Sequence, residues 1–206
     1  TYIRFKYGGY QFTPNLFWGL MPNLHYRVGE FHDIQLEPYT SNKVELELMF
    51  MMTYLQKPLY PSEGRIFHFN YSIINHNDLK PITKASQSVN FLFGFLQPRK
   101  NKSDIGVELY GSFFYRQPAE EIFSREHWIY VTPMFKHEFW KGMRFIVGLD
   151  YLLLGSKNTT DFTGAAEEEE DLDVLNAFPN YPSWRLTTRI NFIPSTSTYS
   201  PNTLAD

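Results

Sequence analysis

Apolar and polar residues alternate along most of this chain with a period of two. The pattern is cleanest over 143–153, where Met143, Phe145, Val147, Leu149 and Tyr151 alternate with Arg144, Gly148 and Asp150. It returns over 184–192, where Leu186, Thr188, Ile190 and Phe192 alternate with Arg185, Thr187, Arg189 and Asn191. Successive side chains of a strand point to opposite faces, so each stretch predicts a strand with one apolar and one charged face. Residues 43–54 form the longest such run, with Val44, Leu46, Leu48, Phe50, Met52 and Tyr54 set against Glu45, Glu47, Met49, Met51 and Thr53. A helix would wrap those apolar residues around its circumference and part Glu45 from Glu47, so the helical reading fails. Weaker alternation predicts strands within 3–7, 16–28, 32–39, 65–74, 89–95, 105–116 and 127–137, about ten strands in all. Pro14-Asn15 and Gly29-Glu30 read as turns. Pro22 marks a bulge or the true start of its strand, and Pro133 costs its strand a ladder hydrogen bond. No helix and no internal repeat emerges from the pattern.

A wall with Leu, Phe and Val on one side and charges on the other is the pattern of a barrel in lipid, charges inward. Composition strengthens that reading. Aromatic residues make up 18% of the chain, with 19 Phe and 14 Tyr, yet 20% is charged. Mean hydropathy is −0.36. A helical membrane protein needs runs of roughly 20 apolar residues, and no such run occurs. The expected fold is therefore all-β, an antiparallel up-and-down transmembrane β-barrel of about ten strands over 1–193. That strand count is a lower bound if the chain is part of a longer one. A soluble barrel or sandwich, apolar face inward, is the competing fold. Net charge is −3, which gives no pull toward nucleic acid. The chain has no cysteine, so disulfides and thiolate-metal sites are excluded. It starts at Thr1 without a signal-peptide pattern; since the barrel reading requires export, a mature or shortened chain is expected.

Bacterial barrels have short periplasmic turns and longer extracellular loops. The short 138–142 connection and the very long 156–183 connection are consecutive, so the first is expected in the periplasm and the second outside. Counting back places 75–85 and 117–126 outside, and 56–64 and 97–103 in the periplasm. The long loop carries the strongest charge run, Ala165-Ala-Glu-Glu-Glu-Glu-Asp-Leu-Asp173. That run lacks the spacing and turn glycine of a calcium loop and reads as a solvated acidic loop.

From Tyr2 to Phe192 the chain resembles, in pattern, the bacterial outer-membrane β-barrel proteins. The phrases Tyr130-Val-Thr-Pro-Met-Phe-Lys-His137, Gly148-Leu-Asp-Tyr-Leu-Leu-Leu-Gly155 and Pro179-Asn-Tyr-Pro-Ser-Trp-Arg185 are similar to those of the final hairpins of such barrels. The resemblance implies a bacterial outer-membrane location and a role as pore, adhesin, anchor or, less often, hydrolase. One departure is that Phe192 does not end the chain; a Ser-, Thr- and Pro-rich tail, 194–206, follows and is expected to be flexible.

Candidate residues follow from the faces. The inward charges Arg4, Lys6, Arg27, Glu45, Glu47, Glu108, Arg144, Asp150, Arg185 and Arg189 predict a lumen network. Buried charges need partners, and a barrel of about ten strands is nearly filled by its own side chains, so a filled lumen is expected ahead of a channel. Glu45 and Glu47 are expected to meet Arg185 and Arg189 across the lumen. Trp18, Tyr54, Tyr115, Trp128, Trp140, Tyr151 and Trp184 stand near strand ends, as interface aromatics do. His76-Asn-Asp78 and His32-Asp33 are the pairs best suited to activate water, but neither has an identifiable nucleophile or second carboxylate nearby, so no catalytic site is expected. No metal or cofactor is expected. The partners implied are outer-membrane lipid and, at the C-terminal tail or the extracellular loops, a protein. The function expected is a membrane anchor or interaction protein; a porin-like channel is the alternative.

Overall fold

The computed structural model describes residues 2–26, 44–76, 86–99, 102–117, 126–140, 142–155 and 181–192. The expected strand at 32–39, the Gly29-Glu30 turn, Arg27, the His32-Asp33 pair, Asp78, the acidic run and the C-terminal tail lie outside these residues.

The strands are β1 (Tyr2–Arg4), β2 (Tyr7–Thr13), β3 (Leu16–Tyr26), β4 (Val44–Leu55), β5 (Ile66–Asn75), β6 (Gln87–Arg99), β7 (Ser103–Arg116), β8 (Trp128–Trp140), β9 (Met143–Gly155) and β10 (Trp184–Phe192). They form one antiparallel sheet in which each strand from β3 to β10 pairs with its chain neighbour. β1 and β2 both pair with β3, at different heights, so they act as one interrupted strand along that edge. The sheet therefore has nine strand positions, with β1 and β2 sharing one.

Pro22 explains the interruption. A residue's N–H and C=O point to the same side of a strand, and the Pro22 carbonyl accepts from the Phe5 N–H at 3.1 Å. The donor that proline lacks is thus missing on the side of Phe5 and Lys6, where β1 stops and β2 has not begun. The register with β4 passes Pro22 without a shift, Pro22 lying opposite Leu48. Pro133 acts similarly: pairing of β8 with β9 lapses between Val131↔Tyr151 and Met134↔Gly148 and resumes in register. The β3–β4 ladder runs from Leu16↔Tyr54 to Tyr26↔Val44.

The register assembles the alternation of single strands into two continuous faces. Leu20, Phe50, Tyr71 and Phe91 follow one another across β3 to β6, as do Leu48, Ile73, Val89 and Phe113 across β4 to β7. On β9 and β10, Leu149 meets Leu186 and Phe145 meets Ile190. The opposite face carries Glu45, Glu47, His68, Asn70, Ser72, Asn90, Glu108, Thr132 and Asp150.

Exposure follows these faces in the sense opposite to a soluble protein. On the apolar face Leu48 is 55% exposed, Ile73 50%, Leu186 61% and Ile190 63%, whereas Ser72 is 1%, Ser88 2% and Asp150 4% exposed on the polar face. Tyr130, itself on the polar face, is the sole buried large hydrophobic side chain among the described residues. In a soluble barrel the apolar face would be the covered one.

The connections are sorted by length. At one end lie 14–15, 56–65, 100–102 and 141–142; at the other lie 27–43, 76–86, 117–127 and 156–183. The connections at the second end are the longer ones, although 56–65 is only one residue shorter than 76–86 and 117–127; for the six connections from 56–65 onward the grouping is the one inferred from the sequence. Leading into β9, Gly142 adopts φ 81°, a conformation costly for a residue with a Cβ. Gly9, at φ 93°, marks the register shift in β2.

Gly111 lies under the Phe91 ring on the apolar face. A Cβ there would stand 2.5 Å from the Trp128 carbonyl oxygen and 2.9 Å from Phe91. Gly111→Ala should cost about 1–3 kcal/mol by overpacking, read as a lower urea midpoint; an unchanged midpoint would contradict this packing.

Candidate functional site on the polar face

At the long-connection end, the four neighbouring strands β3 to β6 bring a carboxylate, two imidazoles and a hydroxyl together. The β3–β4 register sets His25 opposite Glu45 and Asn23 opposite Glu47. His25 Nδ1 lies 2.7 Å from Glu45 Oε2, and Asn23 Nδ2 donates to Glu47 Oε2 at 2.6 Å. One residue past the last β5 pairs, His76 donates its backbone N–H to the Ser86 carbonyl at 3.2 Å. Its side chain joins two strands: Nδ1 is 2.7 Å from Glu45 Oε1, and Nε2 is 2.9 Å from the Ser88 hydroxyl. A carboxylate only accepts, so the Glu45 contact places a proton on His76 Nδ1; in the neutral ring Nε2 then accepts from Ser88. Ser88 and His76 are 2% and 6% exposed, and the Phe114 ring packs on the imidazole at 5.7 Å.

A second cluster lies nearer the β10 edge. Arg185 and Asp150 are directly opposed on β10 and β9, where opposite charges attract across a ladder. The Arg185 guanidinium donates to the Asp150 carboxylate and to the Tyr110 hydroxyl, and it sits 4.6 Å from the centre of the Tyr130 ring. Thr132 donates to the other Asp150 oxygen. The Tyr130 hydroxyl donates to the Pro182 carbonyl at 2.8 Å. Every polar group of this cluster that is buried thus has a partner, as burial requires.

Below it is a cleft of about 340 Å³ bordered by Glu108, Lys136, Arg189, Met134 and Ile146. Among the described residues none of these three charged groups has an opposite charge within 4.0 Å, but Lys136 and Arg189 both attract the Glu108 carboxylate across the cleft. At the short-connection end, Arg144 lies 3.8 Å from Glu138, beside the 141–142 turn.

The expected charge network is thus divided. Glu45 binds His25 and His76, Glu47 binds Asn23, and Arg185 binds Asp150. The expected meeting of Glu45 and Glu47 with Arg185 and Arg189 across the lumen is not among the contacts of the described residues, where Glu45 and Glu47 instead meet His25, His76 and Asn23, and Arg185 meets Asp150. Arg4, opposite Asn23, and Lys6, in the break after β1, are exposed at the β1/β2 edge. The aromatics are divided too. Trp18, Tyr54 and Trp140 stand toward the short-connection end, and Tyr115, Tyr151 and Trp184 toward the long-connection end, on the apolar face. Trp128 departs from this set: it lies opposite Ser112 on the polar face, 5.7 Å from Tyr110 and 5.6 Å from Tyr130. Among the described residues no group of His, Asp and Glu is arranged to hold a metal ion.

The Ser88–His76–Glu45 array is absent from the sequence-based expectation, which looked for a nucleophile beside His76 in the sequence. The signal available was the β4–β5 hairpin: continuing its alternation through the 56–65 turn sets Glu45 opposite His76. Comparison with family models, with curated proteins and with solved structures gives no match for this chain.

The Arg185–Asp150 pair makes an asymmetric prediction. Arg185→Met leaves a carboxylate that is 4% exposed without its cation, whereas Asp150→Asn leaves a guanidinium that is 46% exposed and reaches water. Arg185→Met should cost about 2–4 kcal/mol and Asp150→Asn about 1–2 kcal/mol, compared by urea midpoints in micelles. The reverse order would contradict the burial described here.

Proposed function

We propose that the sheet is the wall of an antiparallel β-barrel spanning a bacterial outer membrane. In this reading the barrel is an anchor or interaction protein whose lumen is largely filled by its own polar side chains. The observation that carries the proposal is the inverted burial: exposed Leu, Ile and Phe on one face, covered Ser, Thr, Asp and His on the other. Lipid favours the first face, and a shared interior favours the second.

Three further features support it. A strand of 13 residues such as β6 is about 43 Å long at ~3.3 Å per residue; tilted by ~40° it spans about 33 Å, close to a bilayer's hydrocarbon thickness. Aromatics stand toward both ends of the apolar face, where head groups would lie. All long connections share one end, which in a bacterial barrel is the extracellular one and offers the surface for a partner.

In lipid the free edges at β1/β2 and β10 need partners, because no water is present to satisfy their backbone groups. With nine positions in an alternating sheet, the two edge strands run the same way. Direct closure would therefore make a parallel seam, and a further strand would restore an antiparallel one.

The cleft of about 340 Å³ among Glu108, Lys136 and Arg189 favours a second reading, a channel for small solutes. One experiment separates the two. The chain, exported in a Gram-negative host, should partition to the membrane fraction, migrate differently on gels when boiled, and give no stable conductance steps in planar bilayers. Solubility without detergent would overturn the membrane reading; stable steps would overturn the filled lumen in favour of the channel.

A further inference from the structure

We propose that Ser88, His76 and Glu45 form a nucleophilic acyl-hydrolase site at the long-connection end of the polar face, acting on carboxylic esters. The geometry is that of a serine triad. The hydroxyl lies 2.9 Å from His76 Nε2, and His76 Nδ1 lies 2.7 Å from Glu45 Oε1. Nucleophile, base and orienting carboxylate must be in hydrogen-bond series, in that order and through the two different ring nitrogens. The described residues include other hydroxyl–imidazole contacts, Thr53 with His68 at 3.0 Å and Ser103 with His137 at 2.9 Å. Neither imidazole has a carboxylate partner among the described residues, so the full series at Ser88 is not a by-product of a face rich in Ser, Thr and His.

The supporting contacts hold the array rigidly. Glu45 is fixed through its second oxygen by His25 Nδ1 at 2.7 Å, and Phe114 packs on the His76 ring. Each residue comes from a different part of the sheet: β4, the end of β5 and the start of β6. The ladder that positions them continues into the described strands on both sides.

The reaction follows from the proton positions. Ser88 Oγ attacks the ester carbonyl carbon while its proton passes to His76 Nε2, and the imidazolium is stabilised by Glu45. Collapse breaks the carbon–oxygen bond of the leaving alcohol, which takes that proton from His76. An acyl-Ser88 ester remains. Water then attacks it, giving its proton to His76, which returns it to Ser88 as the carboxylic acid departs. Water is the co-substrate consumed, and no oxidant or metal is required. Esters of two sources share this chemistry, a water-soluble short-chain ester and the acyl ester of a glycerophospholipid.

The test uses the full chain folded in detergent, with its β-sheet circular dichroism as the folding check. p-Nitrophenyl butyrate represents the soluble source, and phosphatidylethanolamine vesicles with fatty-acid release by mass spectrometry represent the lipid source. A fluorophosphonate probe, followed by peptide mapping, reports whether Ser88 is the nucleophile. The expected result is turnover of at least one ester with the phosphonate on Ser88. Ser88→Ala, and likewise His76→Gln, should reduce that turnover by about 10³-fold or more, and Thr53→Val should leave it unchanged. Release of fatty acid identifies the lipid source; turnover of butyrate alone identifies the soluble one. Turnover of neither ester by the folded wild-type chain overturns the proposal, whether or not the phosphonate reacts, as does turnover that survives Ser88→Ala.

Discussion

The structure depends on the period of the β-strand. Side chains alternate between two faces, and the hydrogen-bonded ladder locks neighbouring strands so that these faces become continuous. A slip of one residue between any two strands would place Leu, Ile and Phe among Ser, His and Asp. The observed registers avoid this from β3 to β10, even where proline or a bulge disturbs the pairing. Pro22 turns its missing donor toward the break between β1 and β2, and Pro133 lapses the ladder and then resumes it in register. The sheet absorbs irregularities at single residues and keeps the two faces apart.

The inversion of burial explains the chemistry of the polar face. A covered surface made of Ser, Thr, His, Asp, Glu and Arg is stable only when its groups satisfy one another. The Asp150–Arg185–Tyr110 cluster does so near the β10 edge, and the Glu45–His76–Ser88 array does so at the long-connection end. Such satisfaction fixes hydroxyls and imidazoles in defined orientations. The same demand that makes a polar interior tenable thereby makes an organised reactive site available, without sequence motifs of any kind.

The strands were largely legible because alternation is local. In β4, β9 and β10 nearly every position states its face, and the connections between later strands follow directly. The N-terminal part was harder. Tyr7–Thr13 carries Gly8 and Gly9, which blur the alternation, and the pairing of β1 and β2 with one neighbour depends on Pro22 acting across the ladder. Trp128 read as an interface aromatic from its place at a strand end; the alternation of β8, shared with Tyr130 and Thr132, puts it on the polar face instead. The triad was illegible because Glu45, His76 and Ser88 meet only through the register of two hairpins. The pairing of Arg185 was misjudged for the same reason, since the nearest carboxylate across the ladder is Asp150.

The claim on which the rest stands is that the apolar face meets lipid and the polar face does not. Spin labels placed singly from Trp184 to Phe192 in vesicle-reconstituted protein test it directly, by collision with oxygen from the lipid and with a water-soluble nickel chelate. The account predicts a period of two, with oxygen access highest at positions 186, 188 and 190 and low at 185, 187, 189 and 191. High oxygen access at the odd positions, or no alternation along β10, would contradict it.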